Sequence, residues 1–204
     1  TNMPIVILKD VGGNAILPTS LAISRAAAAA QGLQLYEYLR GIFGKSGKVQ
    51  LPKPTMVLIE GGKHTAKSAD FQDYLIAPIG FPSVSECVRA GAEIYLTLAK
   101  NMKTKGFSST TGTSGAFSPE ELKDNEQPIK MLLDAIEVAG YTTEQVKLAL
   151  DCAATELYQD KRYYLRKERR ILQTNQMVDA MAKLVEAYPL ISIEDGVADD
   201  DWTG

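Results

Sequence analysis

A chain of 204 residues with a formal charge of −3 can hold one large domain or one domain with an appendage, and it lacks the basic excess that marks a nucleic-acid binder. Its composition, 45% hydrophobic and 23% charged, is that of a globular protein and excludes disorder over most of its length. The alanine-rich tract near the start, residues 21–30, is interrupted by Arg25, so neither a signal peptide nor a membrane span is expected. Cys87 and Cys152 sit in apolar surroundings without metal or redox spacing and read as reduced core thiols of a cytoplasmic protein. The first residue, Thr1 rather than Met, suggests a fragment of a longer chain.

Residues 5–8 form an apolar patch with no identifiable partner. Gly12, Gly13 and Asn14 are expected to form a turn, followed by two helices, 21–30 and 35–42, broken at Gly32. Residues 44–53 are rich in Gly, Lys and Pro without an apolar period, which marks them as a domain boundary. Two strand-like runs follow, 56–59 and 74–79, joined as a hairpin by a long polar loop that carries Gly61, Gly62 and His64. Ser83 with Glu86 reads as a capping box for a helix to about Met102, with Val88, Ala92, Tyr95, Leu96 and Ala99 on its apolar face. After a second polar loop, 105–117, a helix is expected over 118–139, kinked at Pro128 and ended by Gly140. Then come a strand at 146–151, a polar ribbon around 158–165, a helix at 176–187 and a strand at 190–194. The basic run 161–170 reads as a solvated face rather than a polyanion site.

The two late strands share a feature that reaches beyond fold: each apolar run stops at a carboxylate, Asp151 in one and Glu194 in the other. In parallel sheets buried on both faces, strand bodies are continuously apolar and chemistry gathers at their C-terminal ends. Two carboxylates at one rim repel unless a positive charge lies between them, and an oxygen-only pair suits a hard cation such as Mg²⁺. A helix N-cap or a rim salt bridge is the plain alternative for each acid. Asp195, Asp199, Asp200 and Asp201 read as a solvated loop with one helix cap. The order β, β, α, α, β, α, β gives an α/β fold. A full eight-stranded barrel needs roughly 250 residues, so at most half of one is expected after the boundary.

Several motifs, in one consistent order, resemble enolase, the phosphopyruvate hydratase family. Gly13-Asn14-Ala15-Ile16-Leu17 with Ser20-Leu21-Ala22 is similar to a helix start in that family's N-terminal domain. Gly61-Gly62-Lys63-His64 and Phe71-Gln72-Asp73-Tyr74 resemble its substrate loop and second barrel strand. Leu150-Asp151-Cys152-Ala153-Ala154-Thr155-Glu156, and Ser192-Ile193-Glu194-Asp195 with Asp200-Asp201-Trp202, resemble its metal-binding strand ends. The resemblance implies part of an enolase-type (β/α)8 barrel in residues 49–204, preceded in 1–48 by helices of an N-terminal α+β capping domain.

Function follows as an expectation: Mg²⁺-dependent dehydration of 2-phosphoglycerate to phosphoenolpyruvate in glycolysis and gluconeogenesis, by a cytoplasmic homodimer with no nucleic-acid partner. Position by position, the resemblance makes Asp151 and Glu194 two of three carboxylates that hold Mg²⁺, His64 and Gln72 substrate contacts, and Asp73 an acid beside the reaction. The third carboxylate, the base lysine and further substrate contacts would fall on strands after Gly204. Two departures weaken the match. Asp73 stands where the family has glutamate, shortening the reach by about 1.5 Å. Ser114, in Gly112-Thr113-Ser114-Gly115, stands where the family has its catalytic glutamate, and a serine hydroxyl is no comparable acid near neutral pH. Three readings therefore stand at this point: a glycolytic enolase present in part, an enolase-like binding or scaffold protein with impaired catalysis, and a related metal-dependent lyase acting on another carboxylate.

Overall fold

Gly12 takes a left-handed φ of 79°, and a helix begins at the next residue. This computed structural model describes residues 11–65 and 67–204, His64 by its backbone alone, so the patch at 5–8 lies outside the described residues. The expected turn is thereby confined to Gly12, since Gly13 and Asn14 already belong to α1, Gly13–Ala30; α2 is Leu35–Ile42. Gly32, at φ 67°, makes the break between them. The chain divides into two compact units, Thr1–Gln50 and Leu51–Gly204, within the Gly- and Pro-rich stretch.

The second unit is built on a four-stranded sheet: β1 (Met56–Glu60), β2 (Asp73–Ala77), β3 (Lys147–Asp151) and, after intervening elements, β7 (Leu190–Glu194), in the order β1-β2-β3-β7. β1 with β2 and β2 with β3 are antiparallel, and β3 with β7 is parallel. The hairpin expected from the long polar loop is thus present, and the parallel pair of named strands, β3 with β7, comes at the βαβ crossover. Burial runs almost unbroken through β1, β2 and β3, as continuous apolar strands require. β7 departs from that pattern: Ile191 and Ser192 are exposed, because β7 has a neighbour on one side only among the described residues.

α3, Val84–Thr104, starts at Ser83, whose hydroxyl accepts the backbone N–H of Glu86. The other half of the expected box is not formed, because Glu86 pairs with Arg89 instead. Its buried face is Cys87, Ala90, Gly91, Ile94, Leu98 and Met102, whereas Val88 and Leu96 are exposed. The expected apolar face was therefore one residue out of phase. Gly91 shows how closely this stripe packs: a Cβ there would lie 2.1 Å from Met56 Sδ, so any larger residue would push the Met56 side chain aside.

α4 is Gln127–Val138, with Pro128 in its first turn rather than at a kink. Residues 118–126 are turns and irregular chain, since proline suits a helix start, where its missing N–H costs nothing. The polar ribbon is more ordered than expected. It is a three-stranded antiparallel meander of β4 (Tyr158–Gln159), β5 (Arg162–Leu165) and β6 (Arg170–Leu172), followed by α5 (Thr174–Ala187). Tyr163 and Leu165 bury the meander's inner face, leaving Arg162, Arg169 and Arg170 in solvent. Cys87 and Cys152 are both buried and unpaired. No helix among the described residues is long and apolar enough to cross a membrane.

Candidate active site

The register of the sheet brings four acids into one row. Glu60 is opposite Asp73, Asp73 opposite Asp151, and Asp151 opposite Glu194. Residues directly opposite share a face of the sheet, and like charges in that relation destabilise it, so this rim is costly unless it serves something. The sequence pointed to Asp73, Asp151 and Glu194 and missed Glu60. The signal was there, because Glu60 ends the apolar run of β1 as Asp151 ends β3 and Glu194 ends β7.

Asp151 is held from two sides. Its Oδ2 accepts the Gln72 side-chain amide at 3.1 Å and its Oδ1 accepts the Ala153 N–H at 2.9 Å. The second bond depends on Ala153 taking a left-handed backbone, φ 42°, which folds the chain back over the strand end. Cys152 N–H donates to Glu194 O and Ala154 N–H to Asp195 O, tying the ends of β3 and β7 together one residue past the row. Burial first, then the Asp151 and Asp195 carboxylates, push the Cys152 thiol up to about 12, so it is an inert core group. Gln72, Cys152 and Ala153 also line a cavity of about 460 Å³ whose lining sets four basic residues, Lys63, Lys67, Arg166 and Lys167, against two acidic ones, Asp70 and Glu156, a net positive setting that suits an anion. Lys63 pairs with Glu156 at 3.0 Å in this region. The backbone of His64 belongs to the short 3-10 turn Gly62–His64 beside it.

Over the opposite end of the row lies the loop expected to carry the acid. Phe117 N–H donates to Leu58 O and Glu60 N–H to Phe117 O, so the segment runs beside β1 as a short parallel addition. Tyr95 stacks on Phe117 with ring centroids 4.5 Å apart, and its hydroxyl donates to Gly115 O. The turn thus held places Ser114 Oγ in hydrogen-bond contact with Glu60 Oε2, while Ala116 N–H donates to Ser114 Oγ at 3.3 Å. Glu60 is 1% exposed, and its Oε1 is buried without a hydrogen-bond partner among the described residues. Gly112 covers that oxygen so closely that a Cβ there would be 1.2 Å from it.

Among the described residues no group of three or more His, Cys, Asp or Glu side chains is gathered to hold a metal ion. Strands spaced about 4.8 Å apart spread the four acids along the row. A pair is enough for Mg²⁺, which binds through one or two carboxylates and keeps several waters. Asp151 and Glu194, oxygen donors on adjacent parallel strands with Asp151 fixed by neutral donors, fit that requirement. Asp201 behaves as the loop acid it was expected to be. It accepts hydrogen bonds from the Thr174 and Tyr163 hydroxyls, in that order of effect, and these hold it below its ordinary value.

A sheet with its acids at the strand ends, extended through a βαβ crossover, defines an α/β domain of the barrel type with its chemistry at one rim. The family model described as "Enolase, C-terminal TIM barrel domain" matches residues 48–204, and the chain belongs to that family. Its fold is part of an enolase-type barrel.

Proposed function

We propose that this chain carries the Mg²⁺-holding rim and part of the substrate site of an enzyme that dehydrates 2-phosphoglycerate to phosphoenolpyruvate. On this reading the full-length protein is a cytoplasmic glycolytic homodimer, with residues 1–48 in an N-terminal domain and 49–204 in the first half of the barrel. The observation that supports it is the pairing of Asp151 with Glu194 across parallel strands, with Gln72 bonded to Asp151 and an anion-suited cavity alongside. Asp151 and Glu194 would hold Mg²⁺, which when bound supplies positive charge against the negative charge that develops on the substrate carboxylate. Gln72 orients Asp151 and faces the cavity. His64 would contact substrate, and Asp73 and Ser114 would stand toward the departing hydroxyl. The base that takes the C2 proton would come from a later strand.

The scaffold reading draws its support from two departures, the absence of a carboxylic acid at position 114 and the shorter Asp73 where the family has glutamate. Titration of the full-length protein with Mg²⁺ by calorimetry, together with absorbance detection of phosphoenolpyruvate, separates the two readings. Asp151→Asn and Glu194→Gln are each expected to weaken Mg²⁺ binding at least about tenfold, as loss of a metal-site group does. Metal affinity indifferent to both substitutions, or no phosphoenolpyruvate at saturating Mg²⁺, would overturn the dehydratase.

A further inference from the structure

Of the four cations that line the cavity beside Gln72, three are already engaged. Lys63 pairs with Glu156 at 3.0 Å, and Lys67 lies 3.5 Å from Glu120. The Lys167 ammonium donates to the carbonyls of Lys67 and Glu120 at 2.7 and 2.9 Å. The guanidinium of Arg166 has neither a hydrogen bond nor an ion pair among the described residues. It is nevertheless held in place through the backbone. Leu165, on one side of it, is buried at the end of β5, and Lys167, on the other, donates its backbone N–H to both oxygens of Asp70 at 3.0 and 3.1 Å. Asp70 is only 8% exposed, and it also accepts the Asn125 amide at 2.9 Å while its own N–H donates to Asn125 Oδ1 at 2.8 Å. A buried carboxylate costs stability unless it is hydrogen-bonded, and here its bonds tie the turn after β5 to the end of the loop that carries His64.

We propose that Arg166 binds a phosphoryl group in this cavity, carried by the substrate or as free phosphate, and that Asp70 is the residue that positions it. For the substrate the inference rests on the dehydration reading and deepens it. The row of acids and the cavity share Gln72, whose amide bonds Asp151 and which also lines the cavity, so a small ligand set against Asp151 has room beside it for a second anionic group. The other three cations each have an acid or carbonyls of their own, so the uncompensated positive charge of the cavity lies on Arg166. Its side chain suits the task, because a planar guanidinium offers two parallel N–H groups to two phosphoryl oxygens, whereas an ammonium offers a point charge. Asp70 does not touch the ligand in this arrangement. It fixes the backbone next to Arg166 and thereby keeps the guanidinium at the cavity instead of in open solvent.

The test uses the full-length protein with Mg²⁺. Inorganic phosphate, titrated by calorimetry, probes the cavity, and 2-phosphoglycerate turnover probes the reaction. Arg166→Gln changes an exposed residue and is expected to weaken phosphate binding about 10- to 10²-fold, as loss of hydrogen bonds to a charged group does. KM for 2-phosphoglycerate should rise by a similar factor, with kcat and Mg²⁺ affinity little changed. Arg166→Lys keeps the charge without the fork and should fall between wild type and Arg166→Gln. Asp70→Asn keeps the size but loses an acceptor oxygen, and it should weaken phosphate binding as well. Combined with Arg166→Gln it should cause no further loss, whereas a merely structural Asp70 would add a loss of its own. The two Arg166 variants carry the test if the buried substitution harms folding. Phosphate binding weakened with KM unchanged would keep the site and assign it to free phosphate. Phosphate binding and KM both unchanged in Arg166→Gln would overturn the site while leaving the dehydratase in place. Phosphate bound through Arg166 by a protein that forms no phosphoenolpyruvate would overturn the dehydratase and leave the site.

Discussion

Glu60 and Glu194 end the first and last strands of the same sheet and stand in the same row, yet their surroundings are opposite. Glu60 is 1% exposed under a glycine and against a serine, whereas Glu194 is open to solvent. The open acid can exchange its hydration shell for a cation's without rearrangement. The enclosed one meets its surroundings through a single hydroxyl. Identical residues at equivalent strand ends thus acquire different chemistry from what covers them, and the covering segment is more than 50 residues away in sequence from Glu60.

The sharpest way to break that contrast is to move the acid from position 60 to the turn. The family resemblance alone predicts a gain from Ser114→Glu with Thr113→Asp, but the structure sets a glutamate at 114 against the buried Glu60. Like charges in contact oppose each other's ionised forms. The gain should therefore require Glu60→Gln as well: the triple variant is expected to exceed the double variant by about 10²-fold in kcat, read by phosphoenolpyruvate absorbance. A second test crowds the enclosed end. Gly112→Ala is expected to cost about 1–3 kcal/mol in urea denaturation, the range for overpacking, and most of that should disappear when Glu60→Ala removes the atoms it strikes. Glu194→Gln at the open end should stay within about 0.5 kcal/mol when no metal is present.

The metal end gives the next effect in size. Gln72→Leu removes the amide from Asp151 Oδ2 and is expected to weaken Mg²⁺ binding by about tenfold or more, measured by calorimetry, with stability in the absence of metal changed less. The smallest effect lies away from both ends, at Asp201. The Thr174 and Tyr163 hydroxyls lower its ionisation range in the folded chain, so its contribution to stability is present above the ordinary value of 3.8 and is lost as pH falls through the lowered one. Thr174→Val raises that folded value again. The midpoint of acid unfolding, followed by circular dichroism, should then move to higher pH, and an unmoved midpoint would show the bond to be idle.

Local signals in the sequence read well. Ser83 begins α3, Gly32 separates α1 from α2, Gly140 takes its left-handed place after α4, and β1, β2, β3 and β7 fall within a residue or two of their expected bounds. The misreadings each had two local solutions. α3 carries apolar residues on two adjoining stripes, and only packing, as where Gly91 meets Met56, shows which one is buried. Pro128 serves equally as a kink or a helix start, and only the irregular path of 118–126 settles which. The meander around 158–172 has strands of only two to four residues joined by charged turns, and their pairing partners rather than their own pattern make them strands.

The sequence by itself determined that acids end the strands, because an apolar run and its stop are written in consecutive residues. It also carried the family, since the motifs that bear it are short and contiguous. Only the tertiary structure decided which of those acids is enclosed. Burial and register join residues far apart in the chain, Glu60 with Gly112 and Ser114, Asp73 with Asp151, Gln72 with Asp151, and no local pattern records which distant segment will cover a given side chain.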